Sequence, residues 1–434
     1  MPYNKYYKQK KQVSYDEGET WEDVTPEEYQ KGALYEEDSP DCTSPTVIYR
    51  WVNMDISTDY ICDGTTKYYK QKKQVSYDGG QTWQDVTPAE YQRGSVYETQ
   101  STDCGYVPPS TSGNYLTTVA LEDNTTIHYQ TSTGSIYASF DNGETWVREN
   151  EVTINSGQKV LWKYVRYPSQ TGVGRFSSTG NFNVEGNPMS LIFGDNFIGR
   201  TSLGSDYDYA FMLLFSGCDK LINAWNLALP ATTLSLRCYD SMFQGCTSLQ
   251  TAPALPATVL SEYCYVDMFA NCTSLTTAPV LPATTLAKGC YCRMFQGCTS
   301  LQTAPVLSAT TLSSRCYESM FQGCTSLQTA PALPATTLIL GCYESMFSGC
   351  TSLQTAPILS ATVLTDYCYD HMFANCTSLS YIKCLATSGI NYDSSTWGWV
   401  SNVSSTGTFI KSAGVNWPRG DDGIPTGWTV IDAQ

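Results

Sequence analysis

Residues 238–260 read CYDSMFQGCTSLQTAPALPATVL, and this frame repeats with a period of 26 residues. Its first cysteine returns at Cys264, Cys290, Cys316, Cys342 and Cys368. A degenerate copy, AFMLLFSGCDKLINAWNLALPATTL, precedes the full copies and starts near Ala210. A fixed period of about 20–50 residues is typical of a solenoid, in which each unit buries its apolar face against its neighbours. The repeats therefore predict seven stacked coils that offer a binding surface rather than a catalytic pocket.

The invariant positions of the frame predict its core. Methionine and phenylalanine stand at +4 and +5 from the first cysteine, leucines at +11, +17 and +22, and a second cysteine at +8. Twelve of the 18 cysteines belong to these six pairs. Equivalent side chains in a ladder point the same way, which is poor geometry for a disulfide, and cysteine packs as a small hydrophobe. We therefore favour buried free thiols over the alternative, disulfides.

Variation between the copies concentrates at the three positions before the first cysteine and at +2 and +3. Recognition can be encoded there without disturbing the core. The candidate binding rim comprises Arg237, Asp240, Glu262, Tyr263, Asp267, Lys288, Arg293, Arg315, Glu318, Glu344, Asp366, Tyr367, Asp370 and His371. The Thr-Ser-Leu-Gln-Thr run at 247–251, with its equivalents, is expected to form the short strand of each coil. Its hydroxyls either bind glycans or proteins or serve only the turns.

The composition argues against some classes of partner. The 434 residues carry 25 Lys and Arg against 41 Asp and Glu, a net charge of −16, which argues against nucleic-acid binding. The 31 tyrosines suit a recognition surface. No apolar run is long enough to predict a membrane span. The N-terminal sequence lacks the apolar core of a secretory signal, so we expect folding in the cytoplasm and exit by another route or in an assembled particle.

A second repeat occupies the N-terminal third. Residues 5–42 return as residues 67–104, and each copy predicts a β-hairpin. Both contain the pattern S-x-D-x-G-x-T-W, which recurs at 139–146 and resembles the Asp-box of sialidases and other β-propeller proteins. Its carboxylate can accept turn amides and its glycine can supply an unusual φ. We interpret the boxes as structural rather than catalytic, through Asp16, Gly18, Trp21, Asp78, Gly80, Trp83, Asp141, Gly143 and Trp146.

Catalytic and metal sites are hard to assemble from this sequence. His128 lies in a Thr-rich strand, and His371 stands where three sister copies have serine. The run Asp421-Asp422-Gly423 lacks an EF-hand frame and is weak as a calcium site. With two histidines and no C-x2-C pair, a metal site is not expected. We predict no enzymatic activity, no cofactor and no metal.

These patterns predict a mainly β fold with short helices, in which small β modules precede a leucine-rich-repeat solenoid. The expected domains are a first Asp-box module at 1–66, a second at 67–112, a β-rich domain with the third box and the solenoid lead-in at 113–205, the repeats at 206–390 and a cap at 391–434. The last copy leaves the consensus after Leu379, as a terminal cap should.

The frame C-Y-x-x-M-F-x-G-C-T-S-L-x-x-A-P-x-L-P-A-T-x-L resembles the BspA-like leucine-rich repeats of surface proteins from gut Bacteroidetes and of their phages. The lead-in NVEGNPMSLIFGDNF and the ending GTFIKSAGVNWPRGDDGIPTGWTVIDAQ are similar to segments that accompany this repeat. The resemblance implies adhesion or recognition. Bacterial members bind host matrix proteins, and viral members bind receptors or cell-surface material.

We expect a phage virion component of the tail-fibre or head-fibre type. Its N-terminal modules would attach it to other virion proteins, and its repeats would face a host glycan or protein, without inserting into a membrane. One alternative is a bacterial cell-surface adhesin, attached to a surface assembly in the same way. Another is a carbohydrate-active enzyme, suggested by the Asp-boxes. The ligand and the oligomeric state stay open, and a homo-oligomer is compatible with the sequence.

Overall fold

A computed structural model gives the structure of the protein. It describes residues 5–10, 12–13, 22–23, 29–36, 48–54, 60–63, 66–76, 83–86, 89–98, 114–131, 136–164, 172–390 and 394–433. The chain is mainly β, as predicted. It divides into two units, residues 1–61 with 69–95 and residues 62–68 with 96–434.

Nine strands lie in the described residues of the N-terminal third. They are β1 (Lys5–Lys10), β2 (Gln12–Val13), β3 (Glu22–Asp23), β4 (Tyr29–Glu36), β5 (Ile48–Asn53), β6 (Tyr60–Asp63), β7 (Thr66–Ser76), β8 (Gln84–Asp85) and β9 (Tyr91–Glu98). β1 pairs antiparallel with β4, and β2 with β3. β7 pairs antiparallel with β5 and β8, and it also pairs with β6 and β9. The β2–β3 and β7–β8 pairs are the predicted hairpins. Cys62 in β6 is disulfide-bonded.

The region that precedes the repeats consists of two antiparallel sheets. Its strands are β10 (Leu116–Ala120), β11 (Thr125–Gln130), β12 (Tyr137–Ser139), β13 (Val147–Arg148), β14 (Glu151–Ile154), β15 (Lys159–Lys163), β16 (Arg175–Ser178) and β17 (Phe182–Gly186). One sheet runs in the order β13-β12-β15-β10-β17, and a second in the order β14-β11-β16. Alternate residues point inward, as in β11, where Ile127 and Tyr129 are buried. Leu116, Trp162 and Phe176 are fully buried in the core.

The first repeat copy continues this sheet instead of starting a separate body. Its strand β18 (Leu221–Leu227) pairs parallel with β17, and Phe182 lies opposite Leu221. The apolar core also runs without a break from Leu116 to Trp428. The boundary expected at 205/206 therefore falls inside one continuous core, because the first copy buries its edge on the upstream sheet.

The C-Y-x-x-M-F segment of each copy forms overlapping turns that link neighbouring copies. Alternate amides donate to the next copy, as from Tyr239 N to Cys264 O at 3.0 Å. The amides between them donate three residues back, as from Met242 N to Tyr239 O at 3.2 Å. Half of the amides in this segment thus donate to the next copy. An α-helix cannot form, because it requires every amide to donate to the residue four before it.

Helices are therefore fewer than the sequence predicts. Among the described residues, the structure has one α-helix, α1 (Ser190–Phe193), and two 3₁₀ segments, Gly194–Asn196 and Ser205–Tyr207. All three lie before the first cysteine frame, so the predicted short helices are few, and none of them lies in the described residues of the cysteine-frame copies. None of the helices in the described part of the chain combines the length and the apolarity that a membrane crossing requires.

Identical rings stack on one another through the copies. The phenylalanines at +5 are fully buried, and their ring centroids lie 5.4–5.8 Å apart between Phe243 and Phe373. A parallel column of tyrosines runs from Tyr239 to Tyr369. Burial of a large apolar side chain stabilises by roughly 1.5–3 kcal/mol, so the repeated columns supply much of the stability. The inward orientation predicted for the phenylalanines is confirmed. The burial of the tyrosines at +1 was not predicted from the sequence.

The ladder cysteines are buried free thiols, as predicted. Those at +8 donate Sγ–H to a phenylalanine carbonyl of the preceding copy, as from Cys272 to Phe243 O at 3.0 Å. This contact gives each thiol a fixed orientation in the core. Burial raises the pKa of the Cys264 thiol, and of the Cys316 thiol, to about 12, which keeps both protonated.

The Thr-Ser-Leu-Gln-Thr run forms no strand in the middle copies. It contributes a single parallel bridge per copy, such as Thr277 with Thr303 and Thr303 with Thr329. Proline follows two residues later in the frame and lacks an amide to continue a ladder. The Thr273 hydroxyl donates to Thr247 O at 3.2 Å, so at this position the hydroxyl is used between copies.

The C-terminal segment continues the stack. Strands β19 (Tyr381–Cys384), β20 (Thr408–Lys411) and β21 (Thr429–Asp432) form a parallel sheet in chain order. Since β19 belongs to the last copy, the predicted cap at 391–434 extends the copies in the same direction. Trp399, fully buried, stacks on Tyr369 with centroids 6.1 Å apart and closes the ring column.

We predict that Phe295→Ala lowers the free energy of unfolding of the stack by about 3–5 kcal/mol, because it removes the central ring of a packed column. Denaturant unfolding followed by near-ultraviolet circular dichroism measures the change. Val306→Ala, at a site 40% exposed in the same copy, is the matched control and is expected to change stability by no more than about 0.5 kcal/mol. Equal effects of the two substitutions would contradict the buried column.

The raised thiol pKa values predict that stability falls in alkaline solution. An unfolded thiol ionises near pH 8.5, whereas the folded thiols hold their protons to about pH 12. Above about pH 8.5 the unfolded chain therefore binds fewer protons than the folded chain, and unfolding is favoured. Urea midpoints should be constant from about pH 6.5 to 7.5 and fall between about pH 8.5 and 9.5. A flat profile would mean that the thiols are not buried.

Candidate functional site: the rim of the stacked copies

Two columns of the predicted rim have left-handed backbone. The residues at −1 and +3 have positive φ, for example Arg237 (φ 50°) and Asp267 (φ 53°). Four residues further, at +7, every copy has Gly or Asn, as at Gly245 (φ 72°) and Asn271 (φ 61°). Left-handed backbone costs an ordinary residue roughly 1–2 kcal/mol. Gly or Asn at +7 was the sequence signal for this turn. The prediction of the rim included positions −1 and +3 but did not use that signal.

Ion pairs between copies occupy the +2 and +3 columns. Arg293 binds Asp267 of the preceding copy with two hydrogen bonds, Nε to Oδ1 at 2.9 Å and Nη2 to Oδ2 at 2.7 Å. Its Nη1 also lies 4.0 Å from Glu318 of the next copy. Asp267 is half-buried, and the bond to it raises the pKa of Arg293. These rim residues therefore hold neighbouring copies together.

The same pattern continues toward the C-terminus. Arg315 lies 2.9 Å from Glu318 and 3.2 Å from Glu344. Burial raises the pKa of the Glu344 carboxyl, while the charge of Arg315 opposes that shift. At the last full copy Asp370, which is buried, contacts Nδ1 of His371. Three acids, Glu318, Glu344 and Asp370, follow one another in the +2 column. The charges of Glu318 and Asp370 add to the rise in the pKa of the Glu344 carboxyl, and Arg315 compensates by contacting Glu318 and Glu344.

The outer part of the rim, at −2 and −1, is more exposed. Glu262, Lys288 and Asp366 are exposed, and Tyr367 is 38% exposed. Tyr263 lies between two cations, with Arg237 4.6 Å and Lys288 5.7 Å from its ring centroid. Arg237 also binds Asp240 at 2.7 Å. We define Glu262, Lys288, Asp366 and Tyr367 as the outer rim, because these side chains are the most open to a ligand.

The third Asp-box is a closed network of hydrogen bonds. Asp141 accepts from the Thr145 amide at 2.9 Å and from the Ser139 hydroxyl at 2.8 Å. Bonds from Thr145 and Ser139 lower the pKa of Asp141 to about 2. Gly143 has φ 95°, and its carbonyl accepts from Trp146 Nε1 at 3.1 Å. The Asp141 carboxylate is thus engaged in hydrogen bonds within its own turn.

The other two boxes are described only in part. Trp83 of the second box lies beneath the guanidinium of Arg50, 4.1 Å from the ring centroid. Asp16, Gly18, Trp21, Asp78 and Gly80 lie outside the described residues. His128 lies in β11 with Nδ1 3.2 Å from Glu151 Oε2. Within the described ranges, no three His, Cys, Asp or Glu side chains are placed to share a metal ion.

A cavity at the end of the stack is lined by residues that the sequence analysis did not place together. Trp397, which follows the last copy, and Asp421, first considered as a weak calcium ligand, both line it. His371 of the rim is adjacent, with its ring centroid 5.8 Å from that of Trp397. The Trp-Gly-Trp run at 397–399 was the available signal for an aromatic cluster. Residues two apart share one face of an extended strand, so the different exposure of the two rings, 58% for Trp397 and none for Trp399, follows from the turns of the fold.

Two segments match known families. Residues 291–394 match the BspA type leucine rich repeat region, in six copies. Residues 74–85 match the BNR/Asp-box repeat. The two matches confirm the predicted BspA-like repeat and the Asp-box, and together they cover less than half of the chain. No curated protein and no solved structure matches the sequence.

We predict that Arg293 and Asp267 are energetically coupled. A double-mutant cycle of Arg293→Met and Asp267→Asn, measured by denaturant unfolding, should give a coupling energy of about 1 kcal/mol that shrinks as salt is added. The exposed pair of Lys159 with Glu185, 2.6 Å apart, is the control and should couple less. Zero coupling in the first cycle would show that the pair does not hold the copies together.

Proposed function

We propose that the protein is a non-enzymatic adhesion protein whose copies form a leucine-rich-repeat solenoid. The observation that carries this proposal is the separation of roles within each copy. Invariant residues fill the core and fix the register, whereas the outer rim changes from copy to copy and is exposed. A stack of this kind displays an extended surface with repeated spacing. The match of 291–394 to the BspA type repeat supports a surface or adhesion role.

The ligand in this proposal is a cell-surface glycan or protein. The outer rim carries Glu262, Lys288 and Asp366 beside Tyr367, which combines charges of both signs with an aromatic surface. Tyrosine gives a large contact area at low entropic cost. A net charge of −16 disfavours nucleic acid as the partner.

The setting we propose is a phage particle, with the N-terminal modules attached to other virion proteins. The alternative setting is the surface of a bacterium, where the same modules would hold an adhesin. Proteomics of purified particles and of envelope fractions separates the two, because the chain must be enriched in one of them.

An Asp-box enzyme is the weaker candidate. The one box described in full uses its carboxylate within its own turn, where Asp141 accepts from Thr145 and Ser139. A carboxylate held in this way, with its pKa lowered to about 2, is not available as a general acid near neutral pH. Release of sugar from any sialoside or polysaccharide by the purified chain would overturn the non-enzymatic proposal.

We predict that the labelled full chain binds intact cells of gut Bacteroidetes through the outer rim. Replacing Glu262, Lys288, Asp366 and Tyr367 by alanine should weaken binding by about tenfold or more. The matched control replaces Thr258, Thr284, Thr310 and Thr336, which are exposed elsewhere on the copies, and should bind normally. Binding to immobilised host matrix proteins instead would favour the bacterial adhesin, and equal binding by both variants would remove the outer rim from the proposal.

A further inference from the structure

The cavity at the C-terminal end of the stack has the size of a small-ligand site. Its volume is about 590 Å³, and its wall includes Ser394, Trp397, Arg419, Asp421 and Asp422. Small-ligand pockets typically measure about 300–1,000 Å³ and combine an aromatic surface with a few placed polar groups. This cavity has both elements.

Trp397 supplies the aromatic wall. His371 N donates to Trp397 O at 2.8 Å, as Ser345 N donates to Asp370 O at 2.7 Å one copy earlier. Trp397 therefore takes the place that Asp370 holds in the rim. Its side chain is 58% exposed, whereas Trp399, two residues on, is fully buried. The fold thus holds a large flat ring open to solvent at the wall of a cavity.

The polar wall is fixed by the backbone around it. Asp422 Oδ1 accepts from Gly398 N at 2.6 Å, and the Thr396 hydroxyl donates to Asp422 O at 2.8 Å. Arg419 Nη1 donates to Trp428 O at 2.9 Å, which anchors one side of its guanidinium. These bonds tie the loop that carries Asp421 to the segment that carries Trp397, so the two walls are preorganised.

Asp421 supplies an open acceptor. Its side chain is exposed, and within the described part of the chain no hydrogen bond or ion pair engages its carboxylate. The cavity wall holds two carboxylates and one guanidinium. An anionic ligand would be repelled by the net negative charge, whereas hydroxyl groups could donate to the carboxylate and accept from the guanidinium.

We propose that this cavity binds one residue of a neutral saccharide. The apolar face of a pyranose ring packs on Trp397, and its hydroxyls hydrogen-bond to Asp421 and Arg419. This inference deepens the proposed adhesion function, on which it rests, by naming the chemical class of ligand. It also adds a ligand site at the end of the stack, beside His371, to the outer rim along its length.

Binding of methyl glycosides to the full chain tests this proposal. The probes are the methyl glycosides of glucose, galactose, mannose, fucose and N-acetylglucosamine, with methyl glucuronide as the charged probe, followed by saturation-transfer NMR and calorimetry. We expect at least one neutral glycoside to bind, and Trp397→Ala and Asp421→Asn each to weaken it by about tenfold or more. Trp225→Ala, at a tryptophan 43% exposed outside the cavity, should bind as the unchanged chain does.

Three results would overturn the saccharide site: no neutral glycoside binds, binding survives Trp397→Ala, or methyl glucuronide binds tightest. Trp397→Phe keeps an aromatic ring and should retain part of the affinity, which separates lost stacking from lost folding. Cell binding distinguishes this proposal from the broader one. If the chain binds the glycoside through Trp397 but does not bind cells, the result supports the saccharide site and contradicts the adhesion function.

Discussion

The hydrogen bonds between equivalent backbone positions of neighbouring copies are the interaction on which the rest depends. Because Tyr239, Ser241 and Phe243 donate to residues 25 positions later, every side chain lies beside its own equivalent. Columns of identical rings, methionines and thiols then pack without a change of shape from one copy to the next. This constraint makes the stability of the stack a sum of similar neighbour contacts.

The same constraint explains the pairing of charges in the rim. Identical charges at one position would lie against each other at the spacing of the copies, which is unfavourable at short range in a half-buried site. Arg293 therefore lies between Asp267 and Glu318. Where Glu318 and Glu344 follow one another at +2, Arg315 contacts both carboxylates. The charged residues at these positions therefore contribute to the contacts between copies. Positions further from the core are freer to change.

At each end of the stack, the backbone groups of the outermost copy need partners, and the two ends supply them in different ways. At the first copy, β18 adds to an existing sheet through β17. At the last copy, β19 continues into β20 and β21, and Trp399 packs against Trp417 with centroids 5.5 Å apart. The C-terminal segment departs from the repeat sequence. Because its residues differ from those of the copies, it can form a concave site that a stack of identical copies cannot. The cavity beside Trp397 lies at this break.

The sequence by itself determined the period, the core positions, the buried thiols and the likeness to a BspA-like repeat, because identity at a fixed spacing reports which residues share an environment. It also predicted the Asp-box motif that the family match supports. Only the tertiary structure decided that the middle copies form turns and single bridges instead of the predicted short strands, since that choice depends on where each amide donates. It alone joined His371, Trp397 and Asp421, because these residues follow no period and meet only when the copies stack.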